Sequence, residues 1–316
     1  MDGLRKLSRQ GINLSPFVKH PGNPILQRED VPYPCNTVFN AGACMYGEEY
    51  ILLLRVEDFA GKSHLTLAKS QNGVDFTVDE KPWITSSRDP YYEPYERYGV
   101  EDPRITPIDG AYYITYTAYG PYGVRTGIGR TKDFKQFERI SFATDVDSKD
   151  GVLFPKKIAG SYVMIIRPGG MAGRRGDIWI SYSPDMIHWG KSRLLLTSED
   201  NRWSTEKLGA ATPPLLTEYG WLFFYHGVRT TPSGRIYRVG AALLELEHPH
   251  VVIGRTPHFI LAPEENYERI GDVPNVVFPC GAVVEENGTI RMYYGVADTA
   301  IALATTHIDD IIKLCI

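Results

Sequence analysis

The stretch EEYILLLRVED (48–58) begins at two acidic residues, runs through apolar strand formers and ends in charge, and the same order returns four more times along the chain. GAYYITYTAYG (110–120), GSYVMIIRPGG (160–170), YGWLFFYHGVR (219–229) and GTIRMYYGVAD (288–298) each start beside a turn-forming glycine, pass through β-branched and aromatic residues, and close on a polar group. That composition predicts strands. A second strand-like run follows most of them: HLTLAKSQNGVDF, TGIGRTKDFKQF, DIWISYSPDMIHW, YRVGAALLELEHP and IALATTHIDDI. Several of these carry a polar hairpin tip, such as QNG or SPD, followed by an aromatic residue. Five units spaced by roughly 50 to 70 residues predict an all-β fold, a five-bladed β-propeller with a central axial pocket. A β-sandwich or barrel built from hairpins is the alternative, but such folds need not repeat strand, tip and aromatic in this order. The 22 prolines and 30 glycines break most helical windows. DDIIKLCI (309–316) is expected to be a strand or a short turn closing the ring.

At 316 residues and 43% hydrophobic content the chain can bury a large core, and residues 1–316 are expected to form one catalytic propeller domain. Basic residues number 34 and acidic residues 38, mixed along the chain, for a net charge of -4. This leaves no basic field for nucleic acid or an anionic membrane and favours a small neutral substrate. Cys35, Cys44, Cys280 and Cys315 form no CxxC pair, and MDGLRKLSRQ contains no apolar signal segment, so a reduced, cytoplasmic protein is expected. Runs such as YILLL and YVMII fall well short of the roughly 20 residues needed to span a bilayer. Neither a metal-ligand pattern nor a phosphate-cradling GxxxxGK[ST] loop is present, so no metal and no cofactor are expected.

A propeller gathers equivalent strand ends around one channel mouth. Taken as innermost strands, the five runs end in Arg55 with Glu57 and Asp58, in Tyr116 and Tyr119, in Arg167, in His226 and in Asp298. Several charges around one channel require mutual pairing or a ligand, which predicts a polar axial pocket. RYGVEDPRIT (97–106) adds the adjacent carboxylates Glu101 and Asp102. On an extended strand neighbouring side chains point to opposite faces, so the two are expected to diverge.

Ten segments then carry a resemblance: NPIL (23–26), FNAGA (39–43), RVED (55–58), EDPRIT (101–106), DGVLFPKKI (150–158), RP (167–168), SPDMIHWG (183–190), GWLFFYHGV (220–228), VPNVVFPCG (273–281) and YYGVADTAIALA (293–304). In order and number, from about residue 20 to the C terminus, they resemble glycoside hydrolase family 130. The resemblance implies a five-bladed propeller and activity on β-mannosides. It implies a glycosyltransferase-type phosphorylase in which phosphate attacks the anomeric carbon with inversion to give α-mannose 1-phosphate. An inverting hydrolase needs an acid and a base about 6.5 to 9.5 Å apart. Phosphate is already a nucleophile and needs instead cations and donors that hold it in line.

Carried onto this sequence, the family pattern makes Asp102 the catalytic acid, its proton passing through a sugar hydroxyl. Lys149, Arg167, Lys207, His226 and Tyr237 match phosphate-binding positions, with phosphate as cosubstrate. A phosphate dianion would favour the charged form of His226, so binding is expected to depend on pH near neutrality. Asn40, Arg55, Asp58 and Asp298 match the mannose subsite. Glu101 is expected to bind sugar or order its loop, with Arg104 as its charge partner. Two rivals stand beside this reading. A β-mannosidase of the same family would lack the basic cluster, and a noncatalytic carbohydrate-binding propeller would tolerate loss of the acid.

The departing sugar falls to loops, with SSRDPYYEPYERYG (86–99), GPYGVRTG (120–127), PGGMAGRRGD (168–177) and SEDNRW (198–203) as candidates. A short N-terminal extension and the run before EDPR lean toward β-1,2-linked mannobiose or short oligomers. Family members often form homo-oligomers, so a homo-oligomer is an expected partner.

Overall fold

Each of the five strand-forming runs becomes the second strand of an antiparallel meander in the computed structural model, which describes residues 15–169, 176–198 and 203–316. The first meander is Thr37–Tyr46, Glu49–Glu57, Ser63–Ser70 and Thr77–Val78. Gly99–Ile108, Ala111–Gly120, Gly123–Thr131 and Glu138–Phe142 make the second. A single parallel pairing of Ser63 with Gly99 joins these two into one sheet. The third comprises Ser148–Leu153, Tyr162–Pro168, Ile178–Ser183 and Gly190–Leu196. The fourth is Lys207–Ala210, Gly220–Thr231, Gly234–Leu244 and Val252–Arg255, with Leu215–Thr217 also paired to its second strand. In the fifth, Val277–Val284, Thr289–Val296 and Ala300–His307 are completed from the other end of the chain by Val18–Lys19 and Leu26–Gln27.

The second strands read as continuous apolar runs because both of their faces are covered. Ile51 and Leu53 pack toward the second meander with Val100, Ile105 and Ile114, whereas Leu52 and Leu54 pack toward the fifth with Tyr293, Ile301 and Leu303. Further clusters join the second meander to the third through Ile128 and Met164, the third to the fourth through Ile165 and Phe223, and the fourth to the fifth through Phe224 and Met292. Each successive pair of meanders therefore shares an apolar interface, and so do the first and the last.

The first strands approach one another too closely for side chains at two positions. A Cβ on Gly42 would stand 2.8 Å from the Pro103 carbonyl oxygen, and one on Gly281 would stand 2.3 Å from the Ala43 nitrogen.

Two sequence expectations change. The terminal segment forms a helix, Ile308–Cys315, because Ile308, Ile311, Ile312 and Cys315 recur at helical spacing and pack on the fourth and fifth meanders. The five apolar runs also carry only part of the site, with Arg55, Arg167, His226 and Asp298 at their ends. In the first three meanders the preceding strand contributes as well, through a polar residue at a bulge: Asn40, Asp102 and Asp150.

Candidate active site

Asn40, Asp102 and Asp150 lie on the first strands of the first three meanders, with φ of 50°, 49° and 56°. Each sits within a register break, between Phe39 and Gly42, Glu101 and Arg104, or Lys149 and Val152. Asn and Asp tolerate the left-handed region better than other residues with a Cβ, and a bulge re-aims the side chain it carries. All three line a cavity of about 580 Å³ together with Arg55, Lys149, Arg167, Lys207, His226, Tyr237 and Asp298.

One side of the cavity is built around a carboxylate. Asp102 Oδ1 accepts from Asn40 Nδ2 at 2.8 Å and from Arg55 Nη1 at 2.9 Å. Burial pushes the Asp102 carboxyl up, but Arg55, Arg104 and Lys149 outweigh it and leave the group below the usual carboxylate range. Arg55 is held in turn by Ser63 Oγ at 2.9 Å and by the Phe39 ring, whose centroid lies 4.4 Å from the guanidinium carbon. Asp298 behaves oppositely. Burial, with repulsion from Asp102 and Asp272, raises it to about 7 against the pull of Arg55.

Cations form the other side. Arg167 Nε donates to Asp150 Oδ2 at 2.8 Å, and Lys207 Nζ stands 5.5 Å from the Tyr237 ring centroid. Burial and the neighbouring Arg167 lower the pKa of Lys207, and burial raises Tyr237 to about 12. His226 is lowered to about 3, first by burial and then by Arg167, Arg104 and Lys207, with Asp150 opposing. These surroundings favour the neutral imidazole, the form that a phosphate dianion would have to charge. Its Nε2 faces Asp150 Oδ2 at 3.7 Å, while Nδ1 is buried with no hydrogen-bond partner.

Three expected site residues lie elsewhere. Arg104 is 1% exposed, does not line the cavity, and pairs with Asp150 rather than Glu101. It donates to the backbone oxygens of Asp102, Ala210 and Ala211, tying the second meander to the fourth from behind the site. Asp58 does not line the cavity either, because its Oδ1 accepts from the backbone nitrogens of Ala60 and Lys62 and so orders a turn. Glu101 also stays out of the lining and bonds Arg55 at 3.2 Å and Lys149 at 3.3 Å. The left-handed φ of Asp102 cancels the divergence expected of an extended pair, so the two neighbouring carboxylates share Arg55.

The tyrosines expected at the channel mouth are not there. Tyr116 is buried and donates to Glu96 Oε1 at 2.7 Å, and Tyr119 is exposed. Glu96 is fully buried in SSRDPYYEPYERYG, where Ser87, Tyr116 and Arg139 bond it, and no residue of that loop lines the cavity. Val124 and Gly169 represent two of the other candidate loops, while residues 170–175 and 199–202, within PGGMAGRRGD and SEDNRW, lie outside the described residues.

Sequence reasoning missed Asp150, Asp147, Arg235 and Phe278, all of which line the cavity. Asp150 opens the DGVLFP motif, and its burial between Arg104, Arg167 and His226 holds it well below the usual carboxylate range despite desolvation. Arg235 sits two positions before Tyr237, on the same strand face. Among the described residues, no group of three or more His, Cys, Asp or Glu side chains is placed to hold a metal, and no helix is long and apolar enough to cross a membrane.

Comparison with known proteins extends over nearly the whole chain. The profile of the family Glyco_hydro_130, described as beta-1,4-mannooligosaccharide phosphorylase, matches residues 16–316. The chain is 34% identical to a beta-1,4-mannooligosaccharide phosphorylase of Ruminococcus albus, over 93% of this chain and 89% of that one. It is 37% identical to a 1,2-beta-oligomannan phosphorylase of Thermoanaerobacter sp. strain X514, over 87% of this chain and 91% of the other. Among solved structures, a beta-1,2-mannobiose phosphorylase from Listeria innocua in complex with beta-1,2-mannobiose superimposes with a TM-score of 0.87 at 31% identity, covering 95% of this chain and 99% of that chain.

Proposed function

The chain belongs to glycoside hydrolase family 130, and on that premise we propose that it is an inverting, glycosyltransferase-type phosphorylase of β-mannosides, folded as a five-bladed β-propeller. The single observation that carries the reading is one cavity in which Asp102 is accompanied by Lys149, Arg167, Lys207, His226, Arg235 and Tyr237. A hydrolytic site would need a second carboxylate to activate water. Here Asp150 is already engaged by Arg104 and Arg167, and burial raises Asp298 to about 7, beside a set of cations suited to an oxyanion nucleophile.

In this reading phosphate is the cosubstrate, and Arg167, Lys207, His226 and Tyr237 hold it, with Lys149 and Arg235 adding positive charge. Asn40, Arg55 and Asp298 hold the mannosyl unit, and Glu101 fixes Arg55 and Lys149. A phosphate oxygen bonds to the anomeric carbon as the bond to the leaving oxygen breaks. The Asp102 proton, relayed by a sugar hydroxyl, ends on that leaving oxygen. The products are α-mannose 1-phosphate and a sugar shortened by one mannose, with no metal or organic cofactor required. Arg55, Arg104 and Lys149 hold Asp102 ionised, so it must gain a proton before it can act as the acid. A bound phosphate anion opposes the charged form of a nearby carboxylate and so favours that gain.

Five successive meanders and an apolar interface between the first and last support the propeller assignment. For the linkage we favour β-1,2, in keeping with the oligomannan and mannobiose phosphorylases similar to this chain. The test is to incubate the protein with β-1,2- and β-1,4-linked mannobiose in phosphate buffer and follow mannose 1-phosphate. Faster phosphorolysis of the β-1,2 compound is expected. A clear preference for β-1,4 would reverse the linkage, and no turnover of any β-mannoside would defeat the enzymatic reading.

A further inference from the structure

We propose that a second cavity, meeting the first at Gly169, binds the far mannosyl residues of an oligosaccharide whose scissile bond lies in the first; the inference rests on the phosphorylase reading above. This cavity has a volume of about 470 Å³, within the range of about 300 to 1,000 Å³ usual for small-molecule sites. Gly169 lines both cavities. A Cβ there would stand 2.7 Å from the Asp147 carbonyl oxygen, so only backbone can pass between them at this point. The chain alternates accordingly, with Asp147 on the first cavity and Ser148 on the second.

The lining suits a neutral polyhydroxylated ligand. Trp179 and Trp189, both half-buried, offer ring surface for the apolar CH faces of a sugar. The Trp189 indole N–H is already donated to the Met186 carbonyl at 3.0 Å, so that residue contributes contact area rather than a donor. Asp145 and Asp177 supply carboxylate acceptors. No Lys, Arg or His lines this cavity among the described residues, in contrast to the cationic first cavity.

Ser148 points to a ligand independently. It lines the cavity, is 3% exposed, and its Oγ has no hydrogen-bond partner. Buried hydroxyls are nearly always paired, and a sugar hydroxyl would complete this one.

The experiment compares phosphorolysis of the mannobiose, mannotriose and mannotetraose of the linkage the enzyme cleaves, using wild type, Ser148→Ala and Trp179→Ala. Mannobiose kcat/KM should stay within about twofold, whereas that for mannotetraose should fall about tenfold, mainly through KM, equivalent to about 1.4 kcal/mol. Equal effects on all three lengths, or no effect on any, would overturn the subsite. Ser148→Ala keeps the test valid if Trp179→Ala does not fold. If wild type turns over no β-mannoside, the phosphorylase reading fails by itself. Mannotetraose quenching of tryptophan fluorescence, compared between wild type and Ser148→Ala, then decides the subsite: weaker binding by the variant supports it, and equal or absent binding overturns it.

Discussion

Arg55 Nη1 lies 2.9 Å from Asp102 Oδ1 in the wall of the first cavity. The same guanidinium reaches Glu101 at 3.2 Å, so one cation gathers two adjacent carboxylates that a regular strand would send to opposite faces. The two roles remain separate all the same. Asp102 lines the cavity, and Glu101 stays behind it, between Arg55 and Lys149.

Asp102→Asn keeps the side-chain shape and a residue that tolerates positive φ while removing the transferable proton. Its kcat should fall by about 10² to 10⁴. The KM for phosphate should change little, and the thermal unfolding profile should match wild type. A variant retaining more than a tenth of wild-type kcat would remove Asp102 from the acid role.

Phosphate binding should draw a proton into the site. Arg55, Arg104 and Lys149 keep the buried Asp102 carboxyl ionised, and an incoming anion opposes that form. Titration calorimetry in buffers of different ionisation enthalpy should register net proton uptake near pH 7, reduced in Asp102→Asn. Uptake identical in both proteins would assign the proton to another group.

Asp150→Ala should destabilise the fold by about 3 to 5 kcal/mol, because the fully buried Arg104 behind the cavity and Arg167 in its wall lose their shared carboxylate. Urea unfolding measures this directly. A loss below about 1 kcal/mol would mean that the buried pair is dispensable.

Asp298→Asn should gain stability relative to wild type as pH rises. Folding lifts this carboxyl from 3.8 to about 7, so its folded form favours the proton. Its contribution is complete below pH 4 and is lost as pH climbs through 7, costing at most about 4 kcal/mol. The stability difference between variant and wild type should therefore widen from pH 4 to 7 and level off above. A difference that does not change with pH would show that Asp298 ionises normally.

The strand runs could be read from the sequence because β-branched and aromatic residues covered on both faces leave an unbroken apolar signature, as in YILLL. The strands bearing the site could not be read the same way. Asn40, Asp102 and Asp150 interrupt them at bulges, and a left-handed φ is not written in the residue type alone. Nine of the expected site residues were nevertheless brought to one cavity, each at a position given by the family resemblance. Arg104 and Asp58 were misplaced for a different reason. A charged residue in a motif can serve the backbone behind a site, and Arg104 bonds three carbonyls in this way. Asp150 went unnoticed because its partners come from the second, third and fourth meanders, far apart in sequence. The terminal helix was legible in the spacing of Ile308, Ile311, Ile312 and Cys315 but was obscured by the strand-rich context.

In the proposed reaction this cavity delivers phosphate, not water, to a mannosyl carbon. Phosphorus NMR of the reaction with β-1,2-mannobiose measures it most directly. One α-mannose 1-phosphate should form for each phosphate consumed and each mannosidic bond broken, with no cleavage when phosphate is omitted. Mannose released at the same rate without phosphate would contradict the account.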